Sequence, residues 1–204
     1  MKIYLCSRDK AQIASWQLFC GQYDFVEPTL QSILEIPAEG LVSPANSFGV
    51  MSGGIDLYYR NYFGTEMEDA LRKRIFEEFN GELLVGQATS VPIHHPNFKY
   101  TTLISAPTMR VPLTISHTIN PYLATKAALI EAKRLRLDSI TFPGMGTGTG
   151  GVSPDSCAKQ QAVAIKDVLT EPWSKPIELY DEARRMVQQI VSQEWLDVQY
   201  KEVV

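Results

Sequence analysis

Residues 142–155 read FPGMGTGTGGVSPD, and the order of events in that stretch decides the architecture. Ser139 to Pro143 is a short apolar run that reads as a buried strand. Ser153 suits an N-cap and Pro154 the first position of a helix, whose inner face would carry Ala158, Ala162, Ile165 and Leu169. Between strand and helix lie Gly144, Gly146, Gly148, Gly150 and Gly151. Successive N–H groups on an exposed backbone ahead of a helix N-terminus form a nest for an anion, and the helix dipole adds to it. No Lys-Ser/Thr pair follows the glycines, and no acidic residue ends a second strand about 20 residues on, so neither the Walker loop nor the dinucleotide fingerprint is present. Taken alone, such a loop serves equally well as a surface turn.

A second loop lies about a hundred residues upstream, in Val42 to Gly64, VSPANSFGVMSGGIDLYYRNYFG. Gly40 to Pro44 reads as a strand running into Asn46, whose amide offers a donor and an acceptor at the strand end where α/β folds gather their sites. Gly53 and Gly54 then permit close approach of main-chain N–H groups to a ligand. Asp56 follows early in a helix, where a carboxylate also interacts well with the helix dipole. The plain alternative is a turn at Gly53-Gly54 with Asp56 as a helix-start residue.

Outward from these loops the chain alternates strands and helices. Strands are expected at Lys2 to Cys6, Tyr23 to Val26, Gln87 to Ile93 and Tyr100 to Ala106, the last two joined by a turn at Pro96-Asn97. Helices are expected behind Ile13, Trp16 and Cys20, behind Met67, Leu71, Ile75 and Phe79, and behind Ile119, Leu123, Ala127, Ile130 and Leu137. Thr65 and Glu68 have the spacing of a capping box, and a last helix is expected from about Asp181 to Glu194. This alternation calls for a sheet covered on both faces, a three-layer α/β/α sandwich. Length and pattern fit one domain over residues 1–204, with Glu171 to Pro176 the only candidate boundary.

Composition narrows the function. The net charge of −4, with no block of Lys or Arg, argues against strong non-specific binding to nucleic acid. No apolar run approaches the length of a membrane span, and the polar turn after Cys6 does not resemble a signal peptide. Cys6, Cys20 and Cys157 are widely spaced in apolar segments and read as buried thiols in a reducing compartment, the cytoplasm by default. A helix N-terminus lowers a thiol pKa, which leaves a minor reactive reading for Cys157. His94-His95 reads as a surface loop, and neither a metal site nor a cofactor is expected.

The two loops together, PAN-x6-GG-x-D and then FP-x-x-GTG-x-x-G ahead of a helix, resemble the macro domain family over roughly residues 30 to 170. Ser43-Pro44-Ala45-Asn46 matches the family's strand ending in NAAN. Gly53-Gly54-Ile55-Asp56 matches its glycine run with an acidic residue, and Pro143 with Gly146-Thr147-Gly148 its phosphate loop. The resemblance implies a mixed central sheet, with residues 1–30 and 171–204 as divergent extensions packed on the domain. It implies ADP-ribose, or an ADP-ribosylated protein or nucleic acid, in a cleft at the strand ends, and hydrolysis of ADP-ribosyl bonds in some members. By that resemblance Asn46 contacts the distal ribose or orients a water, and Asp56 takes the place of the acidic residue in the hydrolase branch. Gly53 and Gly54 pass close to the distal ribose and a phosphate, Gly146, Thr147, Gly148 and Thr149 wrap the diphosphate, and Ser32, Ile33, Ala45, Ile55 and Gly150 complete the ligand-binding set.

Three positions depart from the family pattern. The family's adenine-reading Asp stands fourteen residues before the Asn, where this chain has Ser32, followed by Ile33. Gly150 stands where many members carry an aromatic side chain over the distal ribose, a wall that Phe48 or Tyr58 would have to supply. The family's final strand has only Ile177 to Tyr180 as a candidate after Glu171.

Overall fold

The structure, a computed structural model, describes residues 1–94, 99–170, 180, 181, 183–185, 187 and 188. The strands are β1 (Lys2–Cys6), β2 (Val26–Thr29), β3 (Gly40–Ser43), β4 (Thr89–Pro92), β5 (Thr102–Ser105) and β6 (Ser139–Phe142). The helices are α1 (Lys10–Cys20), α2 (Gly54–Phe63), α3 (Thr65–Glu78), α4 (Asn120–Arg134) and α5 (Pro154–Ile165). One six-stranded sheet runs β2-β1-β6-β3-β5-β4, parallel except for the antiparallel pair β4–β5. Alternation along each strand feeds two cores. Ile3, Leu5, Val42, Ile104, Ile140 and Phe142 point to the layer of α1, α4 and α5. Cys6, Leu41 and Leu103 point to the layer of α2 and α3. The fold is thus a three-layer α/β/α sandwich with a mixed sheet.

Buried glutamines lock the first helical layer. Trp16 Nε1 of α1 donates to Gln161 Oε1 of α5 at 2.8 Å, so the indole brings no unsatisfied donor into the core. Gln160 Oε1 accepts the Tyr122 N–H at 3.0 Å, one of the orphan donors in the first turn of α4. Ser153 caps α5 by accepting the Ser156 N–H at 3.2 Å, with Pro154 behind it, as the sequence implies.

Several local expectations shift. The second strand starts at Val26, because Tyr23 to Val26 closes a turn in which the Val26 N–H meets the Tyr23 carbonyl at 2.9 Å. Pro28 fits there because β2 is an edge strand. The fourth strand starts at Thr89, since Gln87 closes a turn on Leu84. Ile130 is 54% exposed, and the inner face of α4 carries Ala124, Ala127, Ala128, Leu129 and Ala132, small side chains that allow close packing. The Thr65–Glu68 capping box does not form: Gly64 is the N-cap of α3, and Glu68 turns into the protein instead. The Pro96-Asn97 turn, the Glu171 to Pro176 stretch and residues 177–179 lie outside the described residues, while 180, 181, 183–185, 187 and 188 are helical.

Strands β1, β6 and β3 are adjacent and parallel, so their C-terminal ends emerge at one edge of the sheet. In open α/β sheets that edge is where a ligand crevice forms.

Candidate functional site

At this edge lies a two-lobed cleft. The larger lobe, about 530 Å³, holds Ala45, Asn46, Gly53, Gly54, Ile55 and Asp56 on one side. Gly146, Thr147, Gly148, Thr149 and Gly150 line the same lobe from the loop after β6. A smaller lobe of about 240 Å³ shares Cys6, Ser7, Arg8, Ile55 and Pro143 with it and adds Ser32 and Ile33. The residues singled out in the sequence therefore meet in one place.

Two arrays of backbone donors face the larger lobe. The first is the start of α2, where Gly53 is the N-cap and no side chain caps the helix. Gly54 sits at φ +56 with open space where a Cβ would be, so the backbone is bare to the cleft. The second is the loop after β6. It is closed internally by the Gly151 N–H to the Gly148 carbonyl at 3.0 Å and the Val152 N–H to the Gly146 carbonyl at 3.1 Å. Among the described residues, the backbone N–H groups of residues 146–150 donate to no main-chain carbonyl. Uncommitted N–H groups on both sides of a cleft suit an anion.

Asp56, in the first turn of α2, also lines the larger lobe and is only 8% exposed. The Ser43 hydroxyl, at the end of β3, donates to its Oδ1 at 2.6 Å. Burial pushes its pKa from the ordinary 3.8 up to about 7, opposed by the Ser43 hydrogen bond and assisted by the Glu68 carboxylate. Glu68 is itself buried. Its Oε1 accepts the Met51 N–H at 2.9 Å and its Oε2 pairs with Arg60 at 3.0 Å, so the glycine loop is pinned to α3 and α2. Asn46 is largely occupied within its own loop. Its Oδ1 accepts the Phe48 and Val50 N–H groups at 3.1 and 3.3 Å, and its amide donates to the Val50 carbonyl at 2.7 Å. One amide hydrogen remains for a ligand or water.

A family model described as Macro domain matches residues 42–161, more than half of the chain. The chain belongs to the Macro domain family. An uncharacterized protein of Aquifex aeolicus is 35% identical over 136 residues, 66% of this chain and 77% of that protein. An uncharacterized protein of Aeropyrum pernix is 30% identical over 154 residues, covering 73% and 74% of the two chains. Among solved structures, the macrodomain of Mycobacterium tuberculosis DarG superposes with a TM-score of 0.58 at 23% identity, covering 67% of this chain and 86% of its own. A mutant Oceanobacillus iheyensis macrodomain with ADPR gives a TM-score of 0.56 at 21% identity, covering 66% and 73%. These likenesses establish the macro fold.

Within this macro domain the departure at Gly150 has a physical explanation. A Cβ on Gly150 would lie 2.5 Å from the Gly146 carbonyl oxygen and 2.7 Å from Ile115 Cγ1, so no side chain fits there. Ile115 belongs to the loop that braces the glycine loop, its N–H meeting the Gly150 carbonyl at 2.8 Å. Neither expected substitute reaches the larger lobe, which has Val50 and Pro112 at its rim. Phe48 packs under the Arg110 guanidinium, and Tyr58 lines the smaller lobe, where its hydroxyl lies 3.3 Å from Ser32 Oγ. On the other side of the cleft, β1 pairs with β6 and brings Cys6, Ser7 and Arg8 to it.

Sequence reasoning missed these last residues because MKIYLCSRDK carries no motif. The adjacency of β1 to β6 is a long-range pairing that local pattern does not encode. Cys6, Cys20 and Cys157 are free and buried, and burial pushes each thiol up to about 12. For Cys157 this outweighs the helix N-terminus. His94 and His117 are exposed, and no group of three potential metal ligands occurs among the described residues.

Proposed function

We propose that this macro domain binds ADP-ribose or a close derivative and hydrolyses an ADP-ribosyl bond at the distal ribose. The observation that carries this reading is that Asp56 and two uncommitted donor arrays line one cleft. The diphosphate would lie along residues 146–150 and the start of α2. Backbone dipoles favour it there even in a protein of net charge −4. The distal ribose would then sit beside Asp56 and Asn46. Water attacks C1″, giving its proton to the Asp56 carboxylate or to a ligand phosphate oxygen. The bond from C1″ to the leaving group breaks with its electron pair, and the proton passes on to that group.

A general base works best with a pKa near the operating pH, and Asp56 at about 7 has that property. General-base assistance is typically worth about 100- to 10,000-fold. The leaving group is a protein or nucleic-acid acceptor, or a small acyl or phosphate group. Three free thiols fit a reducing, cytoplasmic setting.

A non-catalytic reader of ADP-ribose is the second reading. It is favoured by the Asn46 amide, most of whose capacity is used inside its own loop. Incubation with a mono-ADP-ribosylated protein separates the two. Release of ADP-ribose that vanishes in Asp56→Ala supports the enzyme, and binding without release supports the reader.

A further inference from the structure

One charged side chain of the cleft has no part in the function proposed above. Arg8 lines both lobes and so stands at the neck between them. It lies outside residues 42–161, the part matched by the family model. Its position follows from topology, since β1 runs parallel to β6 and delivers the residues after Cys6 to the edge where Pro143 and the glycine loop emerge.

The backbone at this point is fixed. The Ser7 N–H meets the Thr29 carbonyl at 3.2 Å, and Ser7 Oγ accepts the Asp9 N–H at 3.0 Å. Asp9, the adjacent carboxylate, is engaged as the N-cap of α1, accepting the Ala11 N–H at 2.9 Å. Arg60, Arg74, Arg110 and Arg134 each hold a carboxylate, whereas Arg8 makes no ion pair among the described residues. Among the described residues, the only charged side chains lining the cleft are Arg8 and Asp56, one at the neck and one at the start of α2. A ligand with a diphosphate brings two negative charges into this space.

We propose that the Arg8 guanidinium pairs with the diphosphate at the neck of the cleft, so that the N-terminal strand and turn complete the binding site. This rests on the ADP-ribose reading. The geometry is complementary: the glycine loop and the start of α2 supply fixed dipoles from β6 and β3, and Arg8 supplies a full charge from β1. A guanidinium fork takes two phosphate oxygens at once, which an ammonium does not.

The test is calorimetric titration of ADP-ribose into the full chain and its Arg8→Gln, Arg8→Lys and Arg8→Phe variants, at low and high salt. Arg8 is exposed and makes no ion pair among the described residues, so thermal melting should find all three folded. Arg8→Gln should weaken binding roughly ten- to hundredfold at low salt and flatten the salt dependence. Arg8→Phe should be as weak as Arg8→Gln, and Arg8→Lys intermediate. Wild-type affinity in Arg8→Gln overturns the proposal while leaving ADP-ribose binding intact. Wild-type affinity in Arg8→Phe also overturns it, because an aromatic ring replaces a residue stacked on the base but not one paired with phosphate. A wild-type chain that does not bind ADP-ribose is a different result, and removes the proposed function along with the Arg8 assignment.

Discussion

Replacing Asp56 by asparagine tests whether its carboxylate is held in the poised state that the mechanism requires. In the folded protein burial raises its pKa from 3.8 to about 7. Below about pH 4 the carboxyl is protonated in both folded and unfolded chains, and nothing is lost. As pH rises, the unfolded chain releases this proton first, so the folded state loses stability by about 1.4 kcal/mol per pH unit until the folded pKa is passed. Taking 3.8 to about 7, the total is roughly 4 kcal/mol, reached above neutral pH and constant beyond it. The substituted amide cannot ionise, and its carbonyl oxygen can still accept the Ser43 hydroxyl. The Asp56→Asn variant should therefore match the parent within about 1 kcal/mol at low pH. Near pH 8 it should be about 4 kcal/mol more stable, which for a chain of this size is a melting shift on the order of 10 °C. Urea unfolding of both proteins across that range is the assay, and taking the difference cancels every other titrating group. A stability difference that does not change with pH would show that water already reaches the carboxylate, and the argument for a base poised near neutrality would fall.

Two further outcomes concern the ligand and its turnover. Asp56→Ala should cut hydrolysis at least about 100-fold while changing ADP-ribose affinity far less, and wild-type turnover should rise with pH through about 7 as the carboxylate charges. Unchanged turnover in the variant, or a flat profile, would remove Asp56 as the base. Ser32→Asp places a carboxylate in the smaller lobe beside Tyr58 and should raise affinity for ADP-ribose about tenfold over its inosine counterpart. Equal affinities for the two ligands in that variant would mean that the base is not read at position 32.

Much of the candidate cleft was legible because its two loops are local. A strand, a glycine-bearing loop and a capped helix follow one another directly at Ser139–Phe142 and Pro154–Ile165, and Ser153 and Pro154 announce the helix. The strand at Gly40–Ser43 and the glycines before Asp56 are similarly contiguous. What stayed hidden depends on contacts between distant segments. Glu68 has the spacing of a capping residue, yet burial beside Met51 and Arg60 gives it a partner that spacing cannot reveal. The inner face of α4 is made mostly of alanines, which give a weak periodic signal, and Ile130 lends a false one. The pairing of β1 with β6 joins residues 2–5 to residues 139–142, and Arg8 enters the cleft only through that pairing.

The most direct test of the central claim is calorimetric titration of ADP-ribose into the wild-type chain and into Gly148→Glu. Gly148 has open space around its Cβ position and no positive φ, so the substitution should fold while setting a carboxylate against the diphosphate. Micromolar binding by the wild type, abolished in Gly148→Glu at unchanged melting temperature, is the expected result. A folded wild-type chain that gives no heat at millimolar ligand, or a Gly148→Glu variant that binds as well as its parent, would contradict it.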